Sequence, residues 1–480
     1  MGDIMRIRSR LALFIGRIIS LLGGQGLRNL GWPGRVSRWI DPNILEELAG
    51  SLVINVVTGS NGAVTTGALT AHGLRSLDLD CMINSPEGQS RDAIITMLLK
   101  KRNQTHAILV TALKDVAEVI AAVPADVLTV TTLSLDQTLD RGMIDKVLGD
   151  VKKALTGRKP SLVLCSDDPL VSSISIDNVQ DDQDDGDEEQ TFFYAEAPYR
   201  MQKTTEDALK SPYRTSHCPL CSRELIYDAV GTGGVGLYHC TNCGFRNPRV
   251  DLYYQMQENW LTVKWLRSGL NPGAPTLRRE SRFHIRGDLT ARYAAAALGT
   301  LHRLLPAADP VKLQNAVCSY RPQFTQHDYI FEQSKRAIVQ VVSEMHSMDE
   351  RLEMISREEK AYAAVIRLSN PPRVAVDNSW IWDIDYSRIT FPENCRIILT
   401  GEDAPLLWLS LLQQEIDTSG IQLLTDKQKL SDELGRLTEE AEAGGSLYIF
   451  TDPHAIRPFK KMLVELGYRR RASALAKERR

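Results

Sequence analysis

No stretch of this 480-residue chain is apolar for long enough to cross a bilayer. The nearest candidate, Leu11-Ala12-Leu13-Phe14-Ile15-Gly16-Arg17-Ile18-Ile19-Ser20-Leu21-Leu22, is interrupted by Arg17, and no small-residue cleavage site follows to make it a signal peptide. Preceded by Arg6, Arg8 and Arg10, it reads as a basic amphipathic helix that packs on the protein or grazes an anionic membrane surface. An excess of one charge is also missing. The chain has 57 Lys and Arg against 60 Asp and Glu, a net of −3, so nothing draws the whole molecule to nucleic acid. Histidines at paired spacing are absent: His217, His284, His327 and His454 stand apart, each expected at the surface or in packing. There is no internal repeat and no disulfide framework. Cys81, Cys165, Cys318 and Cys395 are scattered in apolar or mixed settings and read as buried thiols, which fits a reducing cytoplasm.

The other four cysteines are ordered. Cys218-Pro219-Leu220-Cys221 and Cys240-Thr241-Asn242-Cys243 form two C-x-x-C pairs eighteen residues apart. Each pair fits a tight turn that brings two thiolates together, and two such turns complete a tetrahedral site suited to Zn2+ with no open position for substrate. The metal is therefore expected to be structural. His217 is a neighbouring ligand type that four cysteines make unnecessary.

Leu52-Val53-Ile54-Asn55-Val56-Val57 is a β-rich run ending at Thr58-Gly59-Ser60-Asn61-Gly62, and a helical pattern with Leu69, His72 and Leu74 follows. Strand, glycine turn and helix are the opening of an α/β nucleotide-binding domain. Ala107–Val110, Val127–Val130 and Ser161–Leu164 are further strand candidates separated by helical patterns, so a mostly parallel sheet is expected. The acidic run from Asp177 to Glu189 reads as a solvated loop. Arg292 to Leu305 is alanine-rich and helical. A second α/β pattern starts at Asp377 and continues through Cys395–Gly401 and Ser446–Thr451, and a basic tail from Arg469 to Arg480 reads as a frayed helix.

Taken together, these segments resemble the MurT family, the Mur-ligase-like subunits of lipid II isoglutaminyl synthase. The resemblance spans nearly the whole length. Val57-Thr58-Gly59-Ser60-Asn61-Gly62 resembles the Mur ligase phosphate loop, Leu164-Cys165-Ser166-Asp167-Asp168-Pro169 its "NADDP" segment, and Asp377-Asn378-Ser379-Trp380-Ile381-Trp382-Asp383 the "DVSWxWD" segment. The four-cysteine ribbon ending Cys243-Gly244-Phe245-Arg246-Asn247-Pro248 is the most specific match.

The resemblance implies a lead-in at 1–50, a Mur-ligase-like central domain at 51–330 with the ribbon inserted at about 213–250, a smaller C-terminal α/β domain at 331–468, and a tail at 469–480. It implies ATP and Mg2+ as cofactors, a GatD-type glutamine amidotransferase as the other half of a heterodimer, and lipid II as substrate. The α-carboxylate of the D-glutamate in its stem peptide is activated with ATP and captured by ammonia, at the inner face of the plasma membrane. In the family an Asp of the "DVSW" segment completes the partner's Cys–His pair, because a carboxylate can orient a histidine and stabilise its cation. Asp377 holds that position here; a helix N-cap is its other reading.

This chain departs from the family pattern at the ATP chemistry. Family members read G-T-N-G-K-T-T-T, whereas this chain reads Gly59-Ser60-Asn61-Gly62-Ala63-Val64-Thr65-Thr66, without the lysine for the phosphates or the first hydroxyl for Mg2+. Gly59, Ser60, Asn61, Gly62 and Thr65 remain as a backbone cradle for an anion. The strand that ends "LEVDE" in the family is Ile108-Leu109-Val110-Thr111-Ala112-Leu113 here, with no carboxylate. Gly287-Asp288-Leu289-Thr290-Ala291-Arg292-Tyr293-Ala294 lacks both asparagines of the family's adenine-side segment, and Ser343-Glu344-Met345-His346-Ser347 lacks the family's lysine. Asp136-Gln137 and Asp140-Arg141 persist from a family run, and Asp167 is expected to cap the turn before Pro169. Two functions follow: an amidating subunit, or a pseudo-ligase that keeps the fold and the partner surface without ATP turnover.

Overall fold

The computed structural model describes residues 7–22, 31–84, 88–133, 141–157, 159–178, 190–203, 215–257, 260–266, 276–283, 288–321, 329–342, 348, 351–352, 355, 360–368, 381–382, 384, 386, 395–452 and 455–470. Two compact units divide the chain, one ending at Arg321 and the next beginning at Pro322.

The first unit is built on a nine-stranded sheet. Its strands are β1 (Val53–Thr58), β2 (Cys81–Ile83), β3 (His106–Val110), β4 (Val127–Val130), β5 (Ser161–Cys165), β6 (Thr191–Glu196), β10 (Leu252–Gln257), β11 (Trp260–Trp265) and β12 (Leu277–Arg282). They run in the order β12-β11-β10-β6-β5-β4-β1-β3-β2. From β10 to β2 every pairing is parallel, and β11 and β12 add an antiparallel edge. The inner strands are near-continuous apolar runs because helices cover both faces of a parallel sheet. On one face lies the alanine-rich helix Asp288–Leu304. Its small side chains let it approach closely: a Cβ on Gly299 would meet the Phe192 ring at 2.6 Å. Between β6 and β10 the chain makes a separate antiparallel sheet, β7 (Gln202–Lys203), β8 (Ile226–Val230) and β9 (Gly236–His239). It carries the cysteine ribbon. Two N-terminal helices, Ile7–Leu22 and Trp32–Ile40, pack on this unit.

The second unit has a seven-stranded sheet of order β17-β16-β15-β18-β14-β13-β19. The strands are β13 (Tyr329–Glu332), β14 (Arg336–Val341), β15 (Ala361–Arg367), β16 (Arg396–Thr400), β17 (Ile421–Leu423), β18 (Ser446–Thr451) and β19 (Arg469–Arg470). β14 to β18 pair in parallel, and β13 and β19 are antiparallel. Leu430, Leu434 and Leu437 of helix Lys427–Glu440 and Phe459, Met462 and Leu463 of helix Ile456–Glu465 close its core. The start of the basic tail is strand, not helix: Arg469 and Arg470 pair with Glu332 and Phe331, because the open edge of β13 offers them a hydrogen-bond ladder. Residues 471–480 lie outside the described residues, as does the acidic run from 179 to 189.

Candidate functional site

The loop after β1 lies where the strand order of the large sheet reverses. From β1 the chain goes to β2 and β3 on one side and to β4, β5 and β6 on the other. Open α/β sheets bind ligands at the carboxyl ends of the strands at such a point. Gly59, Ser60, Asn61 and Gly62 form the loop, and Thr65 follows in the first turn of helix Ala63–Ser76.

Both glycines are required by geometry. Gly59 has a φ of 151°, and a Cβ on it would lie 2.0 Å from Thr131 Oγ1. Gly62 is left-handed, with a φ of 79°, and a Cβ on it would lie 2.0 Å from Cε1 of Tyr293. The loop is fastened to the chain after β4. Ser60 N donates to Thr132 O at 2.8 Å, and Thr131 Oγ1 donates to Asn61 O at 2.5 Å. Tyr293, buried in the first turns of helix Asp288–Leu304, donates from Oη to Asn61 Oδ1 at 2.7 Å while its ring rests on Gly62. In sequence Tyr293 shows only as part of a segment that lacks the family's asparagines, and nothing there marks it as a contact of the loop.

The side chains with which such a loop would hold Mg-ATP are replaced here. Ala63 is a buried methyl where a cation is needed, and Val64 brings no hydroxyl to a metal. At the end of β3, Thr111 is buried and donates to Ala112 O, and residues 108–113 include no carboxylate. Arg292, the residue before Tyr293, is a buried cation, and it is engaged elsewhere. Its Nε donates to Tyr254 Oη at 2.9 Å and its Nη2 to Thr232 O, in the segment between β8 and β9. One turn of helix thus holds the ribbon insertion through Arg292 and the glycine loop through Tyr293.

The two buried acids of the "NADDP"-like segment have different jobs. Asp168, not Asp167, is the helix cap. Its Oδ1 accepts from Leu170 N and Val171 N at 2.9 and 3.3 Å, and its Oδ2 accepts from Leu133 N at 2.7 Å. The residue directly before Pro169 is the one whose side chain can reach back to the first free N–H groups of the helix. Asp167 Oδ2 accepts from Glu196 N at 2.7 Å, and its other oxygen is buried without a hydrogen-bond partner. Burial pushes the Asp167 carboxyl up to about 8, despite the Glu196 N–H and Arg292, and the Asp168 carboxyl up to about 6.

In the ribbon the four predicted sulfurs come together: all lie within 4.8 Å of one another. Cys218 Sγ is 3.5 Å from Cys243 Sγ, and Cys221 Sγ is 3.5 Å from Cys240 Sγ. A disulfide needs ~2.05 Å. Four ligands at a zinc–sulfur distance of ~2.3 Å stand ~3.8 Å apart at the corners of a tetrahedron, so the donors fit a zinc ion. The two turns repeat each other. Cys218 N donates to Arg223 O and Ser222 N to Cys218 O; Cys240 N donates to Phe245 O and Gly244 N to Cys240 O. The residue after each second cysteine is left-handed, Ser222 at φ 59° and Gly244 at φ 76°. Tyr227, Tyr238 and Phe245 pack beneath the cysteines. His217 bonds to Ser216 Oγ, outside the sulfur cluster. The ribbon is tied to the large sheet by Asn247, which donates to Ser166 O and Gly236 O at 2.9 Å each, and by Gly236 N, which donates to Asp167 O.

Asp377 lies outside the described residues, as do Asp136, Gln137, Asp140, the segment 343–347, and His284, His327 and His454.

No protein-family model matches the chain. Among curated proteins, the lipid II isoglutaminyl synthase (glutamine-hydrolyzing) subunit MurT of Staphylococcus aureus strain COL is 25% identical over 396 residues, covering 82% of this chain and 84% of that one. The subunit of the same name from Streptococcus pneumoniae strain R6 is 24% identical over 405 residues, covering 80% and 82%. Among solved structures, a pseudomurein peptide ligase type C from Methanothermus fervidus superposes with a TM-score of 0.60 at 15% identity, covering 87% of this chain and 79% of that one. The chain has a Mur-ligase-like α/β fold, and its curated relatives are MurT subunits.

Proposed function

We propose that this chain is the Mur-ligase-like subunit of a lipid II isoglutaminyl synthase. In this reading it works in the cytoplasm, at the inner face of the plasma membrane, on the α-carboxylate of the D-glutamate in the lipid II stem peptide. A GatD-type glutaminase bound as the second subunit supplies the ammonia. The observation that carries the reading is the four-cysteine ribbon, inserted between β6 and β10 of a Mur-ligase-like sheet and fastened to the end of β5. Cys218, Cys221, Cys240 and Cys243 hold a structural zinc that fixes this insertion beside the carboxyl ends of the strands. Asp377 orients the histidine of the partner's nucleophile pair and stabilises its cation.

A second reading, the same subunit without ATP turnover, is favoured by one contact. The Tyr293 ring rests on Gly62, beside an Ala63 that brings no charge. Fixed cations at a phosphate centre stabilise the charge of the transition state, and removing one costs a few kcal/mol. Here the cation and the metal-binding hydroxyl are both missing.

The test is reconstitution with the glutaminase from the same source, with amidated lipid II followed by mass spectrometry and Mg-ATP binding by calorimetry. Amidation with nucleotide binding supports the first reading. A stable heterodimer that neither binds nucleotide nor amidates supports the second; a Tyr293→Asn, Ala63→Lys, Val64→Thr variant that then binds Mg-ATP assigns the loss to these three positions. Failure to form a heterodimer sinks both.

A further inference from the structure

The first helix is built inside out. Its small residues Ser9, Ala12, Gly16 and Ser20 face the protein and are buried. The fit is close: a Cβ on Gly16 would lie 2.1 Å from Ser37 Oγ, which itself donates to Ala12 O at 3.0 Å. Five of its large apolar residues are turned outward, while Leu13, Ile15 and Ile19 are half-buried. Ile7, Leu11, Phe14, Ile18 and Leu21 advance by alternating steps of four and three, so they share one face of the helix, opposite the small residues. Phe14 is 62% exposed and Leu21 81%. Beside them, helix Trp32–Ile40 leaves Trp39 84% exposed and Trp32 half-exposed. An ordinary surface helix buries its large apolar side chains, and a contiguous exposed apolar face marks an interaction surface.

Charge says what covers it. The two helices carry Arg8, Arg10, Arg17, Arg35 and Arg38 and no Asp or Glu of their own. Arg10 and Arg17 border the apolar stripe on one side, at three- and four-residue steps from Ile7, Phe14 and Leu21, and Arg8 borders it on the other. Asp92 pairs with Arg38 at 2.7 Å and Arg35 at 3.4 Å, whereas among the described residues Arg8 and Arg17 donate to backbone carbonyls, Ile40 O and Leu99 O. A stripe of Phe, Leu and Ile between arginines, with tryptophan beside it, suits the plane where acyl chains meet anionic headgroups. Among the described residues no helix is long and apolar enough to cross a membrane, so this one lies along the surface.

We propose that the face formed by Leu11, Phe14, Ile18 and Leu21 is a peripheral docking surface for an anionic lipid bilayer, with the exposed Trp39 of the neighbouring helix as its reporter. Binding is additive over apolar insertion and headgroup attraction, so it weakens with salt and with loss of either part.

The test uses the full chain and sedimenting vesicles of phosphatidylcholine with and without phosphatidylglycerol. Expected is co-sedimentation with the phosphatidylglycerol vesicles, reduced by salt, and reduced about tenfold or more in a Leu11→Ser, Phe14→Ser, Ile18→Ser variant. These side chains are exposed, and circular dichroism and thermal unfolding establish that the variant is folded. Quenching of Trp39 by brominated lipid, read as the difference from Trp39→Phe, reports insertion in the unaltered helix. No co-sedimentation overturns the proposal. So does vesicle binding that the triple substitution leaves unchanged, or a dimer that the triple substitution dissolves without any vesicle binding, which assigns the face to a second copy. Vesicle binding needs neither ATP nor a glutaminase, so its outcome is separate from the amidation test.

Discussion

A glycine at φ 79° ordinarily tolerates asparagine and little else; at Gly62 the ring of Tyr293 removes even that tolerance. Gly62→Ala adds a left-handed alanine, at about 1–2 kcal/mol. It also drives a methyl into a packed ring, at about 1–3 kcal/mol for an overfilled site. The expected loss of stability in urea unfolding is about 2–5 kcal/mol, and Gly62→Ala in a Tyr293→Ala background should cost less than half of that. An equal cost in both backgrounds would show that the ring is not the obstacle. Asp167 makes a different prediction. Its carboxyl is neutral inside the fold up to about pH 8, held up by burial and by the neighbouring Glu196 and Asp168 against the pull of Arg292. The unfolded chain ionises near ~3.9. Folding therefore takes up a proton between those values, so the stability tied to the neutral acid is complete below about pH 4 and is lost as pH rises toward 8. Asp167→Asn keeps the shape and removes the proton. The melting temperature of the variant, measured from pH 4 to 8, should fall less with pH than that of the unaltered chain; parallel curves would refute the assignment. The loop glycines were legible in sequence because they stand between a β-rich run and a helical pattern, a local signal. Tyr293 was not, because its partner Asn61 lies 232 residues away, and only the fold brings them together.

The ribbon was the most legible element, and its spacing is enough to say why. Two turns of one design fix two pairs of sulfurs, and sequence shows both turns. The left-handed Ser222 was hidden, since serine does not advertise that conformation as Gly244 does. The apolar cluster under the cysteines is small: Leu225, Tyr227, Val230, Tyr238 and Phe245 with the buried sulfurs. Burying an apolar side chain contributes about 1.5–3 kcal/mol, against chain entropy of about 1–2 kcal/mol for each ordered residue, so this cluster does not hold the ribbon by itself. Structural zinc contributes about 10–16 kcal/mol in small domains. Cys240→Ser should therefore lower zinc from one equivalent to none and open the ribbon to proteases, as read by metal analysis and limited digestion; a zinc-free ribbon that resists digestion would contradict this. Among the sheet elements, β1, β3, β4, β5, β16 and β18 were readable as apolar runs. β12 was not: its sequence Leu-Arg-Arg-Glu-Ser-Arg has no apolar pattern, and it is a strand because the edge of β11 pairs with it. The first helix was legible as amphipathic and basic, but which face it presents to the protein depends on Gly16 and Ser37 meeting across a helix pair.

Among the described residues there are three sheets, and each of the two large ones has a hydrophobic core of its own. One core runs from Ala12 to Tyr320 and the other from Phe331 to Tyr468. Hydrogen bonds within each sheet are complete within its unit, since β1 to β12 pair only with one another and β13 to β19 likewise. Cooperative unfolding follows shared packing, so a chain with two cores has two units of cooperativity. The larger unit includes the ribbon, and the ribbon's ties to β5 and to helix Asp288–Leu304 stay inside it. A fragment ending at Arg321 should consequently fold without the rest of the chain, hold one zinc, and unfold in a single transition, while a fragment beginning at Pro322 should give a second transition of its own. Calorimetry of both fragments beside the whole chain measures this. If the larger fragment loses its near-ultraviolet circular dichroism or its zinc, the second unit is part of its folding and not an independent neighbour. If both fragments melt as the intact chain does, then Asp377 and the rest of the second unit can be altered to probe partner binding with the glycine loop and ribbon unchanged.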